Sequence, residues 1–405
     1  MQGSLQDVVV IDALRTPIGR FRGGLSRVRA DDMAAHVLSG LLARQSEAKG
    51  CLEEVILGAT NQAGDDNRNI ARMAALLAGL PHEVTGVTVN RLCGSGLEAI
   101  IDAARAIAVG DHEVIVAGGV ESMSRAPYAM AKPEEAFPRT PPKIYDTSLG
   151  WRFVNPKMPE DYTIGMGVTA ENVAEQYNVS RADQDAFALE SQRKAAAAWD
   201  AGVFDREVIP VDVPPASKRA EATRVERDES IRAGSTLEAL GRLRPVFREG
   251  GSVTAGNSSP LNDGAAMVLL ASRAWAEKHG VTPRARFVSS ASAGVHPNVM
   301  GIGPIPSTQK ALARAGLTAA DIDVVELNEA FAAQSLACMR TLEFNPENVN
   351  IHGGAIALGH PIGCSGARIV ATLLGAMEAR DAKRGVATLC IGVGQGLAAV
   401  FEKIS

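Results

Sequence analysis

One pattern is present twice along the chain, and it constrains the possible folds more than any other feature. A glycine- and serine-rich segment opens an alanine-rich helical stretch, which is followed by a β-branched apolar run. The pattern spans residues 87–119 and returns at 360–392. The pair Ser95-Gly96 aligns with Ser365-Gly366, an offset of 270 positions. Such a repeat indicates an internal duplication.

A second pair of segments supports the same interpretation. Residues 54–62 (EVILGATNQ) resemble residues 323–331 (DVVELNEAF), in the same order along the chain. Helices opened by Gly-Ser-Gly are common, so coincidence is the competing explanation for one pair alone. Two aligned pairs favour duplication, and the sequence predicts two similar α/β halves packed face to face.

Short apolar runs alternate with alanine-rich helical stretches over most of the chain, which predicts α/β layers around a mostly parallel sheet. The predicted strands are 8–14, 54–59, 87–90, 113–119, 266–271, 285–292, 323–327 and 386–392. The predicted helices include 96–110, 307–316 and 366–380. Residues 121–250 are rich in proline and charged residues and have few strand-like runs, so we expect an insertion carried by the first half.

Composition and charge exclude several classes of protein. The formal net charge is −5 and only 4% of the residues are aromatic, which argues against a nucleic-acid surface. The five cysteines are odd in number and widely spaced, so a disulfide scaffold is not expected. The sequence has neither a C-x-x-C pair nor an H-E-x-x-H motif, so we expect no metal site. The first residues do not resemble a signal peptide, and no apolar run approaches about 18 residues, so we expect a cytoplasmic protein without membrane contact.

Cys93 is the first candidate for chemistry. It follows a predicted strand and precedes a helix that opens near Gly94. Exposed N–H groups and the helix dipole favour a thiolate at such a position, and the thiolate is the nucleophilic form of cysteine. A lone cysteine is more commonly a small buried hydrophobe. The flanking glycines, Gly94 and Gly96, make the nucleophilic role competitive with that alternative.

Two further segments carry groups that a thiol nucleophile needs. His360 stands between glycines and a proline just before a helix, where an imidazole can accept a proton from a thiol. His352 is an alternative base in a weaker context. Cys390 ends an apolar run and is followed by glycines, including Gly392, whose bare N–H groups suit an oxyanion hole. The alternatives are a structural histidine and a glycine-rich turn beside a buried thiol.

Two weaker signals remain. Asn328 and Glu329 follow a predicted strand and could hold a water or orient a ligand, although asparagine also commonly caps a helix. Residues 94–99 (GSGLEA) mimic a dinucleotide-binding turn. Glu113 precedes the next strand instead of ending it, so the ribose-binding acid is missing and we rank this alternative low.

The motifs NRLCGSG, NEAFA, GGAIALGHPIGCSGAR and CIGVGQG, in this order, resemble those of the thiolase family. Further matches such as RTPIGRF, GGVESMSRAPY and TAGNSSPLNDGAA extend the resemblance over essentially the whole chain. It implies two five-stranded halves in α-β-α-β-α layers with an inserted loop domain. The implied division is an N-terminal half of 1–120 plus 251–275, a CoA-binding loop domain of 121–250, and a C-terminal half of 276–405.

The resemblance also implies a mechanism. Cys93, activated by His360, would attack C3 of a 3-oxoacyl-CoA. The C2–C3 bond would break, Cys390 would protonate the acetyl-CoA enolate, and free CoA would take the acyl group. One oxyanion would be held by His360 and a water on Asn328, and the other by the N–H groups of Cys93 and Gly392. The chemistry would need CoA and acyl-CoA as substrates and no metal or prosthetic group.

The matching motifs also imply which residues of this chain contact CoA or the acyl group. The resemblance implies that Arg232 lies near the nucleotide and Ser259 near the pantetheine, and it adds Phe331 and Met166 as substrate contacts. Thiolases generally form homodimers or homotetramers, and we expect one of these assemblies here.

The resemblance leaves several subtypes open. Residues 63–81 and 144–156 resemble the 3-oxoadipyl-CoA thiolases of aromatic catabolism, which suggests a substrate whose distal carboxylate an arginine could bind. NSSPLNDG is closer to general fatty-acid thiolases, and Gly165 stands where acetoacetyl-CoA thiolases carry a histidine. An acetoacetyl-CoA thiolase, a non-catalytic CoA-binding relative and a decarboxylating condensing enzyme are the alternatives. His352 and Cys364 replace the usual Asn and Ala, and we expect both beside the site rather than in it.

Overall fold

The computed structural model describes residues 5–215, 217 and 219–404. Its strands are β1 (Val8–Arg15), β2 (Gly19–Arg20), β3 (Glu54–Gly58), β4 (Thr85–Val89), β5 (Val114–Ser122), β6 (Tyr128–Met130), β7 (Ile144–Asp146), β8 (Val211–Val213), β9 (Thr223–Val225), β10 (Asn262–Ser272), β11 (Ala285–Gly294), β12 (Val324–Leu327), β13 (Arg384–Ile391) and β14 (Gln395–Glu402).

The helices alternate with these strands. The α-helices are α1 (Ala30–Arg44), α2 (Ser46–Lys49), α3 (Ile70–Leu77), α4 (Ser95–Val109), α5 (Met166–Gln176), α6 (Arg181–Asp200), α7 (Leu237–Gly241), α8 (Arg273–His279), α9 (Pro304–Ala315), α10 (Ala332–Thr341), α11 (Ala355–Leu358) and α12 (Ile362–Ala379). Short 3₁₀ turns occupy Gly24–Arg27, Met123–Arg125, Glu160–Tyr162, Val203–Arg206, Pro297–Ile302, Ala319–Asp321 and Pro346–Asn348.

The strand order repeats in the two halves. The first half runs β4-β3-β5-β10-β1, and the second runs β12-β13-β14-β11. In the second half, Val349 pairs with Val325 of β12 through a parallel bridge. Val349 thus lies at the outer position that β4 occupies in the first half. Each half thus has the same topology, as the repeated sequence pattern predicts. The edge strands β1 and β11 also pair, at Val9–Arg286 and Val10–Ala285, which joins the halves into one sheet. The sheet has ten strands, because β2 also pairs with β10.

The sheet is mixed, and the prediction of a mostly parallel sheet is wrong. Only the β3–β4, β3–β5 and β12–β13 pairs are parallel among the described strands. The other pairs of the large sheet are antiparallel, because β10 returns in the opposite direction beside β5 and β1, and β14 returns beside β13 and β11. Strand β14, which the sequence analysis did not identify, forms a hairpin with β13.

The halves differ most at one equivalent connection. Residues 392–394 join β13 to β14, whereas residues 123–261 separate β5 from β10. The long connection contains the β6–β7 and β8–β9 hairpins and helices α5, α6 and α7. The domain boundaries given above remain a prediction. Positions 216 and 218 of that loop domain, and positions 1–4 and 405 at the ends of the halves, lie outside the described residues.

Helices α4 and α12 form the central layer and share one apolar cluster with strands of both halves. They cross at two glycines near their N-termini. A Cβ atom on Gly366 would lie 2.2 Å from the backbone nitrogen of Leu97, and one on Gly96 would lie 2.8 Å from that of Ala367. The outer layers are α1, α3 and α8 on the first half and α9 and α10 on the second.

Helix α12 is long and apolar enough, by length and composition, to cross a membrane. The sequence analysis expected no run of this length. Within the protein, 78% of the stretch is buried, and the helix packs against α4, β5, β10 and β13. Its apolar character is therefore explained by its place in the central layer, where most of its residues are buried.

Candidate active site

A cavity of about 400 Å³ lies at the N-terminus of α4 and brings several predicted site residues together. Cys93, Met166 and Gly392 line it, along with residues 147–153 of the long connection. The lining is therefore built from both halves and from the insertion.

Cys93 lies just before α4, with Gly94 at the N-cap position. Burial raises the pKa of the thiol to about 11, although hydrogen bonds from the backbone N–H groups of Gly392 and of Cys93 itself partly lower it. The carboxyl group of Glu121 raises the pKa further. The helix N-terminus thus does not produce a thiolate by itself, contrary to the expectation from sequence, and the thiol needs a base.

His360 is buried in the loop between α11 and α12. Its Nδ1 lies 2.6 Å from Ser365 Oγ, and that hydroxyl lies 2.9 Å from the carbonyl oxygen of Pro361. The single hydroxyl proton goes to the carbonyl, so we assign the imidazole proton to Nδ1 and the free lone pair to Nε2. Burial, with a smaller effect of Arg368, lowers the pKa to about 4. The imidazole is therefore neutral near pH 7 and able to accept a proton.

The crossing of the two central helices brings the segments that carry these residues side by side. A Cβ atom on Gly96 would also lie 2.8 Å from the carbonyl oxygen of Gly363, three residues after His360. Ile362, the first residue of α12, lines the same cavity as Cys93. Residues from opposite ends of the chain thus contribute to one wall of the cavity.

Cys390 is buried near the end of β13, beside Cys93. Burial raises its pKa well above the ordinary value, and the neighbouring thiol of Cys93 raises it further. The side chain belongs to an apolar cluster with Phe331, Met300 and Met166. The second thiol therefore keeps its proton at neutral pH, as a general acid must.

Asn328 is fully buried at the end of β12. Neither its Oδ1 nor its Nδ2 atom has a hydrogen-bond partner within the described part of the chain. An unsatisfied buried polar group costs about 1–3 kcal/mol, so the amide is suited to binding a water or a substrate atom. The adjacent Glu329 differs, because Ser191 Oγ, Asn350 Nδ2 and the N–H of Ile356 all donate to its carboxylate. Its role is structural.

The four predicted CoA or substrate contacts fall into two places. Met166 and Phe331 pack with Cys390, next to the Cys93 cavity. Arg232 lines a second cavity of about 470 Å³, whose lining shares no residue with the first. Ser259 bonds the carbonyl oxygen of Ala330 through its hydroxyl at 3.1 Å, which places it beside Phe331.

The two substituted motif positions, His352 and Cys364, do not line the Cys93 cavity. The His352 ring faces Phe204, with ring centroids 6.2 Å apart, and burial lowers its pKa to about 4. Cys364 is fully buried within α12. No group of three or more His, Cys, Asp or Glu side chains within 5–215, 217 and 219–404 could hold a metal ion. Trp151 and Arg152 also line the Cys93 cavity. Both belong to the segment 144–156, whose resemblance to 3-oxoadipyl-CoA thiolases did not assign a role to either residue.

Known proteins with similar sequences and folds fit this geometry. Models of the thiolase N-terminal and C-terminal domains match residues 8–274 and 281–403. The beta-ketoadipyl-CoA thiolase of Pseudomonas aeruginosa is 57% identical, covering 98% of this chain and 100% of that protein. The 3-oxoadipyl-CoA/3-oxo-5,6-dehydrosuberyl-CoA thiolase of Escherichia coli K12 is 51% identical, covering 99% and 100%. The crystal structure of Bacillus anthracis acetyl-CoA acetyltransferase has a TM-score of 0.93 at 42% identity, covering 99% and 100%.

Proposed function

The chain belongs to the thiolase family and is an acyltransferase, and on that premise we propose that it cleaves 3-oxoadipyl-CoA with CoA. The products are acetyl-CoA and succinyl-CoA. The observation that carries this proposal is the full-length similarity to relatives whose names specify 3-oxoadipyl-CoA or beta-ketoadipyl-CoA. Such a reaction serves aromatic catabolism by dividing a six-carbon 3-oxo acid into two smaller thioesters.

In the proposed first half-reaction, Cys93 is the nucleophile. Nε2 of His360 accepts the thiol proton, the sulfur bonds to C3 of the substrate, and the C2–C3 bond breaks. The electrons of that bond form the enolate of acetyl-CoA, and Cys390 donates a proton to its C2 carbon. The neutral imidazole and the protonated second thiol described above support these roles.

In the second half-reaction, the thiolate left on Cys390 accepts the proton of the CoA thiol, and the CoA sulfur attacks the succinyl thioester. The sulfur of Cys93 leaves and recovers its proton from His360. Two oxyanions need stabilisation. We assign one to the N–H groups of Cys93 and Gly392, because both face the sulfur of Cys93. We assign the other to His360 and a water held by Asn328, whose buried amide is otherwise unsatisfied. The proposed steps need no metal or prosthetic group.

The remaining functional expectations are also proposals. Arg232 and Ser259 would contact CoA, and Met166 and Phe331 would contact the acyl end. We further propose that the enzyme works in the cytoplasm as a homodimer or homotetramer, as thiolases generally do.

The deciding experiment measures kcat/KM for thiolysis of 3-oxoadipyl-CoA, 3-oxohexanoyl-CoA and acetoacetyl-CoA. We expect the highest value for 3-oxoadipyl-CoA. A preference for acetoacetyl-CoA would instead support an acetyl-CoA acetyltransferase, the activity named for the structural relative.

The catalytic roles are tested by Cys93→Ala, which should lower kcat on the order of a thousandfold or more. Cys51→Ala is the matched control, because Cys51 is also partly exposed and lies outside the cavity. Iodoacetamide should label Cys93 first, with 3-oxoadipyl-CoA protecting it. Loss of activity with labelling confined to Cys51 or Cys338 would contradict the assignment.

A further inference from the structure

We propose that Arg152 determines substrate specificity by binding the distal carboxylate of the acyl chain. The inference rests on the proposed function and adds the residue that would select a dicarboxylic substrate. Three observations support it: the composition of the Cys93 cavity, the lack of an ion-pair partner for Arg152 among the described residues, and the hydrogen bonds that fix residues 147–153 over the cavity.

The first observation concerns charge. Among the described residues that line the Cys93 cavity, Arg152 alone carries a charge at neutral pH. The rest of the lining is apolar, glycine or neutral polar, as in Leu149, Trp151 and Asn90. A single cation in an otherwise neutral cavity attracts an anionic group and fixes its position. An acyl chain ending in a methyl group would gain nothing from it.

The second observation concerns partners. No carboxylate within the described ranges forms a salt bridge with Arg152, and its guanidinium makes no side-chain hydrogen bond there. Two other arginines of the first half and the insertion provide a contrast. Arg125 is paired with Asp65, and Arg29 is paired with Asp31 and Asp65. A half-buried guanidinium whose N–H donors have no partner in the described part of the chain can bind a planar anion such as a carboxylate through two hydrogen bonds.

The third observation is that the segment is anchored over the cavity. Asn61 donates to Thr147 Oγ1 at 2.7 Å, and the indole N–H of Trp151 donates to the carbonyl of Ile164 at 3.4 Å. The Trp151 ring packs against Gly392, where an added Cβ atom would meet it at 3.3 Å. Arg152 follows directly, so its backbone is fixed beside the oxyanion-hole glycine rather than on a free loop.

The chemistry of the intermediate matches this position. After attack at C3, the group on Cys93 is a succinyl thioester, whose carboxylate carbon is three carbon–carbon bonds from the bonded carbonyl. A short chain of that length keeps its charged end within the cavity that holds the sulfur. A bidentate contact with Arg152 would orient the chain before C2–C3 cleavage and hold it until CoA arrives.

A phosphate of CoA is the competing anion. The CoA contact assigned to Arg232 lies in the other cavity, whose lining does not overlap with that of the Cys93 cavity. The carboxylate is therefore favoured. The test below separates the two anions, because every CoA thioester carries the same phosphates and only one substrate carries the carboxylate.

The experiment compares 3-oxoadipyl-CoA with 3-oxohexanoyl-CoA, which has a methyl group in place of the carboxylate. In Arg152→Gln we expect kcat/KM for 3-oxoadipyl-CoA to fall about 10- to 100-fold, because a charge-assisted hydrogen bond to the carboxylate is lost. We expect kcat/KM for 3-oxohexanoyl-CoA to stay near the wild-type value. Arg152→Lys should give an intermediate loss. Arg139→Gln is the control, since Arg139 is an exposed arginine outside the cavity.

Each outcome bears on one claim. Equal losses on both substrates would overturn the inference and indicate a structural role or a phosphate contact. An unchanged substrate preference in Arg152→Gln would overturn it too, while leaving the proposed function intact. If the wild-type enzyme itself shows no preference for 3-oxoadipyl-CoA, the proposed function fails and the inference fails with it.

Discussion

The reactive side chains of this enzyme owe their protonation states to burial. Burial raises the pKa of the Cys93 and Cys390 thiols, so both keep their protons, and it lowers the pKa of His360, so the imidazole stays neutral. Each group is thus held in the state that its proposed role requires at the start of the cycle. The hydrogen bond from Nδ1 of His360 to Ser365 then determines which ring nitrogen acts as the base.

A second histidine makes a prediction about stability. Burial lowers the pKa of His352 from 6.5 to about 4, and its Nε2 atom has no partner in the described part of the chain. The unfolded chain therefore binds one more proton than the folded protein between these values. The free energy of unfolding therefore keeps its full value above pH 6.5 and decreases as the pH falls towards 4.

We therefore expect His352→Asn to become more stable relative to the wild type as the pH falls, by up to about 1 kcal/mol per pH unit below 6.5. Thermal unfolding of both proteins at pH 7.5, 6.0 and 5.0 measures the difference. His36→Asn is the control, because His36 is exposed. A constant difference across the three pH values would contradict the prediction.

At the scale of elements, the sequence predicted the individual strands and helices better than their arrangement. The apolar run at 8–14 and the helix opened by Gly-Ser-Gly at 95 are both present, because local pattern decides them. β14 was missed, because its Gly-Leu-Ala-Ala start lacks the β-branched residues that indicate a strand. The antiparallel pairs depend on contacts between distant residues, which no local pattern encodes.

The crossing of α4 and α12 leads to a prediction at this scale. In Gly366→Ala the new Cβ atom would lie 2.2 Å from the backbone of α4, so the helices must separate. We expect a loss of about 1–3 kcal/mol in stability. Gly375→Ala in the same helix is the matched control, because its nearest neighbour would be 3.9 Å away. It should be neutral or stabilise by up to about 1 kcal/mol.

The melting temperatures of the two variants provide the test, and thiolysis activity adds a second readout. Because the crossing aligns the segments of Cys93 and His360, Gly366→Ala should also reduce kcat. Variants with equal melting temperatures would show that the crossing tolerates a methyl group.

For the whole molecule, the important fact is that the halves share their central layer. Residues of α4, α12, β5 and β13 belong to one apolar cluster, so neither half can bury its inner face alone. The candidate active site also needs both halves and the insertion, because Cys93 comes from the first half, Cys390 from the second and Arg152 from the insertion. The sequence identified the first two through short motifs. It also indicated the segment 144–156 and a carboxylate-binding arginine, but not that this arginine is Arg152, because the position of Arg152 in the cavity depends on the fold of the long connection.

We therefore expect residues 276–405, expressed alone, to show no cooperative thermal transition. The exposed inner face should bind a hydrophobic dye such as ANS. Co-expression with residues 1–275 should restore both folding and thiolysis. A sharp transition in the isolated segment would show that the C-terminal half is an independent folding unit.

The pairing of β1 has a consequence for how the protein is made. Its two neighbours, β10 and β11, begin at residues 262 and 285, so the first apolar strand has no partner while most of the chain is still unsynthesised. At about 5–20 residues per second, that interval is on the order of tens of seconds. During vectorial synthesis the VVVIDAL segment must therefore be shielded by transient contacts or by a chaperone at the ribosome. The first strand made is among the last to reach its place in the sheet.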